Sequence, residues 1–271
     1  MRLARLEPAR LRGIAGLALL FSGIAGTAAA ADGTALDVLV QAYPKHLAGY
    51  DTTYLIWRDG TRMPLSDGHL NKSFEEMLRH GSILDQMQLP YPAGVNAAAL
   101  VPHGDPGRIR NRGFFDKMYG DCWKGEVTSR LAPVVWLPQS WGHVVRVTSV
   151  NGVAERVAEI SAELDALPAP VKRYVYPPAG TYNCRTVADT GKPSMHSWGA
   201  AIDINAARAE YWLWPRAASA NTLPAEIIDI FERHGFIWGG KWSHYDTMHF
   251  EYRPELLTAR PAAAQWATAP R

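Results

Sequence analysis

The stretch "SMHSWGAAIDIN", Ser194 to Asn205, decides how the rest of the chain is read. His196 and Asp203 stand seven positions apart, with a glycine and small residues between them. The alternation in Ala200-Ala201-Ile202-Asp203-Ile204 predicts a strand that buries the isoleucines on one face and turns Asp203 to the other. A carboxylate inside so apolar a run needs a partner, because burying it alone costs several kcal/mol or neutralises it. A metal ion is one candidate, and a salt bridge to Arg185 is the other.

A second stretch, "WSHYDTMHFEYRPE", runs from Trp242 to Glu255. His249 opens a predicted strand and shares a face with Glu251, while Met248, Phe250 and Tyr252 take the opposite face. Asp246 lies on the turn leading in. Taken together, His196, Asp203 and His249 offer two imidazoles and one carboxylate with a fourth position open, the ligand set of a catalytic zinc rather than a structural one. Zinc in such a site acidifies water towards neutrality and polarises a carbonyl. Asp246 is then the free carboxylate that takes the water's proton and passes it to the leaving amine. His244, five residues before His249, is the alternative ligand. His46, His69, His80, His103, His143 and His234 read as ordinary surface or core residues.

The chain has 271 residues, 47% of them hydrophobic, a proportion that fits neither a disordered chain nor a membrane bundle. Its formal net charge of +2 is too small to argue for nucleic acid or an anionic membrane surface. No internal repeat or heptad array is present. Arg2, Arg5, Arg10 and Arg12 precede the apolar run "GIAGLALLFSGIAG" and the small residues of "TAAAADG", the order of a secretory signal peptide over residues 1–31, cut near Ala30 or Ala31. An uncleaved anchor competes with that reading, but the apolar stretch is short and rich in glycine and alanine. The mature chain is therefore expected in the periplasm or outside the cell, without a membrane span. In an oxidising compartment Cys122 and Cys184, the only cysteines, are expected to pair. The loop so closed, about 60 residues, corresponds to roughly 4 kcal/mol in the chain-entropy account. Two cysteines are too few for a thiolate zinc cage.

Between Ala35 and Gly120 short strands ("TTYLIWRDGTRMPL") mix with helical pieces ("KSFEEMLRHG", "NRGFFDKMYG"), broken by Pro90, Pro92, Pro102 and Pro106. A hairpin follows, with "APVVWLP" and "GHVVRVTSV" as strands around Gln139-Ser140. In "NGVAERVAEISAELDALP" the residues Val153, Val157, Ile160, Leu164 and Leu167 keep helical spacing, and Asn151 is the expected cap. A second helix, "LPAEIIDIFERHG", starts near Thr222 and Pro224 and ends at Gly235. Interspersed strands and helices without regular βαβ units make the fold α+β.

The two motifs, Ser194-x-His196-x-x-Gly199-x-Ala201-x-Asp203 and Asp246-x-Met248-His249-Phe250, resemble those of the zinc D-alanyl-D-alanine carboxypeptidase family, with its VanY-like and VanX-like members and its L-alanyl-D-glutamate endopeptidases. The resemblance covers about Tyr182 to Pro254 and implies the fold shared with the hedgehog signalling domain, a small antiparallel sheet flanked by helices with a zinc site. It also implies that His196, Asp203 and His249 hold Zn2+, that Asp246 is the general base, and that Arg185 in "YNCRT" stabilises the oxyanion. Arg185 read alone is equally an ion-pair partner for a nearby carboxylate. Ser194 either binds substrate or shapes the turn, and Gly199 permits a close backbone approach. Of Trp198, Trp212, Trp214, Trp238 and Trp242, most are expected in the core, with one or two lining a groove.

The domains expected are a signal peptide (1–31), an N-terminal region packed on the core without assigned chemistry (32–130), a zinc peptidase domain (131–257) and a disordered tail rich in alanine and proline (258–271). The expected function is an exported zinc metallopeptidase cleaving peptidoglycan stem peptides, with D-alanyl-D-alanine carboxypeptidase activity leading. Endopeptidase cleavage, which the aspartate at 246 favours, is the alternative within the family. A zinc-stabilised cell-wall-binding module without turnover is the alternative outside it. A carboxypeptidase also needs a cation for the terminal carboxylate; Lys192 and Arg208 are near in sequence, and neither is assigned. Oligomeric state is left open.

Overall fold

A computed structural model describes residues 35–89, 91–94, 104–187, 190–214 and 223–257. The expected signal peptide, His103, Thr222 and the expected C-terminal tail lie outside these. No helix among the described residues is long and apolar enough to cross a membrane.

The N-terminal region begins with a helix over residues 35–42 (α1), whose Leu36 and Leu39 are buried. Strands β1 (Leu47–Tyr50), β2 (Tyr54–Trp57) and β3 (Arg62–Pro64) form an antiparallel meander. Two short helices, α2 (Phe74–His80) and α3 (Ile83–Gln86), each start at a capping box, Ser73 with Glu76 and Ser82 with Asp85. Helix α4 (Arg112–Tyr119) is capped by the Asn111 side chain, which accepts the Phe114 N–H at 2.9 Å.

The expected hairpin forms from β4 (Leu131–Trp136) and β5 (His143–Thr148). Its inner face carries Val134, Trp136, Val145 and Val147, and its outer face exposes Val135 and Val144. Helix α5 (Val153–Asp165) lies on it, burying Val153, Val157, Ile160 and Leu164 completely. Each such side chain contributes roughly 1.5–3 kcal/mol. Asn151 does not cap this helix. It sits at φ 60°, a left-handed conformation that asparagine tolerates, its amide donates to the Tyr119 hydroxyl at 3.2 Å, and Gly152 enters the helix.

After the short helix α6 (Ala169–Lys172), three strands make the sheet that matters most: β6 (Ala201–Asp203), β7 (Phe236–Trp238) and β8 (His249–Tyr252), antiparallel, with β8 central. Asp203 pairs with His249 and Ala201 with Glu251. Helix α7 (Ala225–Arg233) packs beneath, its Phe231 stacked on Phe250 with centroids 3.8 Å apart. Gly235, at φ 89°, turns the chain from α7 into β7. A terminal helix, α8 (Pro254–Leu257), follows β8.

One cluster of buried side chains runs from Ala35 through Phe115, Trp136, Ile160, Trp198 and Phe231 to Tyr252, so the N-terminal region and the last sheet share a core. Trp198, Trp238 and Trp242 are buried in the protein, whereas Trp214 is exposed. The Cys122–Cys184 disulfide, with Cα atoms 5.7 Å apart, ties the end of α4 to the loop that carries Arg185. These small antiparallel sheets and packed helices are the α+β arrangement read from the sequence.

Candidate metal centre

Each residue of the opening stretch is held by a local device. Ser194 caps a single helical turn, Met195–Trp198, by accepting the His196 N–H at 3.3 Å. Gly199 ends that turn at φ 66°, and a Cβ there would stand 2.8 Å from Leu131 and 3.0 Å from the Thr148 nitrogen. The Thr148 N–H donates to the Gly199 carbonyl at 2.9 Å, so the hairpin touches backbone directly at this point. The chain then enters β6, whose free edge is closed by Gly180: the Asp203 N–H donates to its carbonyl at 2.8 Å.

These devices bring the expected ligands together. His196 Nε2 lies 3.0 Å from Asp203 Oδ1 and 3.2 Å from His249 Nδ1, and His249 Nδ1 lies 2.9 Å from the same carboxylate oxygen. Three ligand atoms at tetrahedral angles around a zinc bonded at about 2.0–2.1 Å stand about 3.3 Å apart. The residues present therefore fit such an ion, and they are the one group of this kind among the described residues.

The outer nitrogens settle which lone pairs converge. His196 Nδ1 donates to the Thr181 carbonyl. His249 Nε2 donates to Glu251 Oε2 at 3.0 Å. Each imidazole thus keeps its proton on the far side and presents the other nitrogen to the cluster, the usual way a carboxylate or carbonyl orients a metal-binding histidine. Glu251 is itself buried completely and held by Arg110 and, at 3.4 Å, by Arg253. Arg253 continues to Glu255 and Glu255 to the Tyr43 hydroxyl at 2.7 Å. None of these supporting roles was assigned from the sequence. The shared face of His249 and Glu251 was the available signal for the first, whereas Arg110 and Tyr43 are too distant along the chain to leave one.

The electrostatics match the geometry. Burial alone would raise the Asp203 carboxyl, but the two imidazoles beside it hold it well below the usual carboxylate range. Burial would lower His249, yet the carboxylates of Asp203 and Glu251 on its two sides push it up to about 10. A cation held at the convergence point by these residues would take the place of the proton on Nδ1. Asp246 behaves differently: burial pushes its carboxyl up to about 6, with His249 pulling it down and Asp203 pushing it further up. Its Oδ1 is buried without a hydrogen-bond partner among the described residues. A carboxylate poised near neutrality with an unused acceptor has the chemistry of a proton acceptor.

The other candidates separate. Asp203 contacts two imidazoles and not Arg185, so Arg185 is not its ion-pair partner. Arg185 has an exposed side chain, while its backbone is fixed to the turn that carries His196: its N–H donates to Ser197 Oγ at 3.1 Å and its carbonyl accepts from the same hydroxyl at 2.7 Å. His244 is outside the cluster. Its Nδ1 bonds Asp105 Oδ2 at 2.6 Å, and its ring stands edge-on to Trp212. Arg208 lies over the Tyr174 ring, 5.7 Å from its centroid.

Residues 188–252 match a family model described as D-alanyl-D-alanine carboxypeptidase. That span contains His196, Asp203, Asp246 and His249; Arg185 and the whole N-terminal region precede it. No curated protein and no solved structure is a significant match to the chain. The resemblance to the VanY-like zinc peptidase family drawn from the two motifs holds over residues 188–252.

Proposed function

We propose that the protein is an exported zinc metallopeptidase that cleaves peptidoglycan stem peptides, with D-alanyl-D-alanine carboxypeptidase as its leading activity. The observation that carries this reading is the convergence of His196 Nε2, His249 Nδ1 and Asp203 Oδ1, inside the span that matches a peptidase family. Zinc held by these three residues would supply Lewis acidity to the scissile carbonyl and to water. Asp246 takes the proton of the attacking water and returns it to the leaving amine, a role its position beside the cluster and its raised carboxyl both support. Arg185 is the cation available to the developing oxyanion, since it is exposed and anchored by its backbone beside His196. Thr181 and Glu251 hold the imidazoles in the tautomers the site needs.

Export is supported by the arginine-led apolar start of the sequence and by the Cys122–Cys184 disulfide, which suits an oxidising compartment. One observation favours a second reading: the proton acceptor is an aspartate, as in the L-alanyl-D-glutamate endopeptidase branch that the motifs resemble. Incubating the purified chain with a pentapeptide muropeptide and weighing the products separates these. Release of a single D-alanine supports the first reading, and mid-stem cleavage supports the second. Turnover abolished by a chelator and restored by zinc is expected in both. Binding without any turnover would overturn both and leave a wall-binding module.

A further inference from the structure

The N-terminal region lies outside the matched span and contributes nothing to the ligand set, yet it forms most of a cleft beside the site. This cleft, of about 700 Å³, lies between β3, the turn joining α2 to α3, the start of α4, and Lys192. Among the described residues its charged lining is one-sided: Arg79, Arg110, Arg112 and Lys192 face a single carboxylate, Asp67. That carboxylate is already held by Lys72 at 2.5 Å. Arg110 is committed to Glu251, and Arg112 is shared between Asp116 at 2.9 Å and Asp121 at 3.5 Å. Two cations are left over. Arg79 has only a loose, exposed pairing with Glu75 at 4.0 Å, and Lys192 enters no ion pair among the described residues. A concave surface with one sign of charge and low-dielectric walls concentrates an anion.

Its position relates it to the metal centre. Only two hydrogen bonds, Arg110 to Glu251 and Glu251 to His249, separate the cleft wall from a metal-binding imidazole. Lys192 sits four residues before His196, on the turn where Thr186 pairs with Pro193, next to Arg185. For its charge to be read there, a peptide cut at the metal centre must reach the cleft within two or three extended residues, a span of roughly 7–10 Å.

We propose that this cleft binds a carboxylate of an acidic peptide substrate, two or three residues from the scissile bond, between Arg79 and Lys192, so that the N-terminal region reads substrate charge. The inference rests on the peptidase reading above. The test uses the full, disulfide-bonded, zinc-loaded chain and two peptides that share a scissile bond and differ only in a distal carboxylate or carboxamide. The carboxylate peptide should have a kcat/KM about 10- to 100-fold higher, chiefly through KM, as a charge-assisted contact outside the reacting atoms requires. In the double variant Arg79→Gln, Lys192→Gln that ratio should fall to within about twofold of one, whereas Lys192→Arg should preserve it. A wild-type ratio near one, or an unchanged ratio in the double variant, overturns the proposal. A second measurement separates it from the peptidase reading: calorimetric titration with the same two peptides N-methylated at the scissile bond. A preference for the carboxylate form that the double variant loses supports the cleft even if no peptide is ever cut. Competition by inorganic phosphate with no difference between the two peptides would assign the cleft to another anion and overturn it.

Discussion

Replacing Glu251 with glutamine tests whether the second layer of the site governs metal binding. The substitution is nearly isosteric and removes one charge from a fully buried position. Three donors converge on the carboxylate: His249 Nε2, Arg110 and Arg253. An amide has one oxygen and one NH2 group to offer them. If the oxygen faces the guanidinium groups, the NH2 faces His249 Nε2 and forces the ring proton onto Nδ1, the nitrogen that points into the cluster. If the oxygen faces His249, the NH2 opposes two arginines. Breaking a buried ion pair by removing one partner costs about 3–5 kcal/mol. Glu255 still offsets Arg253 at 2.5 Å, so the loss should fall near the lower end, about 3 kcal/mol. The disturbed tautomer should weaken zinc about 10- to 100-fold, the usual consequence of losing an outer carboxylate. Urea unfolding of the variant and of wild type reads the first quantity, and competition with a chromophoric chelator reads the second. Zinc affinity within twofold of wild type would refute the argument that Glu251 sets the tautomer of His249.

The ligand residues themselves should give a sharper loss: His196→Ala, Asp203→Ala and His249→Ala each remove one of three convergent atoms, and elemental analysis should find zinc well below one per chain. Asp246→Asn should retain zinc yet lose about 10²- to 10⁴-fold in kcat, because the amide cannot accept a proton; near-normal turnover with full zinc would remove Asp246 from the reaction. Replacing both Cys122 and Cys184 with alanine should destabilise the fold by about 4 kcal/mol, given the sequence separation of 62, and denaturant midpoints within error of wild type would contradict this.

What the sequence revealed about the site follows from how local each signal is. His196 and Asp203 were legible because a turn, a glycine and a two-residue alternation lie within a dozen positions, and His249 because its strand alternates in the same way. The apolar stripe of α5 was legible for the same reason, with a period that any buried helix must show. Asn151 misled because asparagine serves both as a cap and as a left-handed residue, and only the hydroxyl of Tyr119, 32 positions away, decides between them. The choice between a metal and a salt bridge for Asp203 was open for an analogous reason. Arg185 is close in sequence, but its backbone is drawn to Ser197 and its side chain to solvent. The basic cleft joins residues from 63 to 192, and no single stretch of sequence displays it.

The buried charges behind His249 tie the N-terminal region to the candidate metal centre. From His249 a continuous path runs through Glu251, Arg253 and Glu255 to the Tyr43 hydroxyl, with Arg110 and the Gly107 carbonyl attached at its sides. Desolvating that many charges contributes little net stability, and well-packed apolar residues of similar volume often do as well or better. Stability alone therefore does not account for the path. Position does: each member has its directions fixed by its neighbours, and the last link fixes which nitrogen of His249 carries a proton. Tyr43, Gly107 and Arg110 all precede the matched peptidase span. A shortened chain lacking them would leave Glu251 beside Arg253 alone, free to rotate away from His249. The same region that lines the basic cleft thus also orients His249, a candidate metal ligand, and substitutions within it should alter zinc affinity without touching His196, Asp203 or His249.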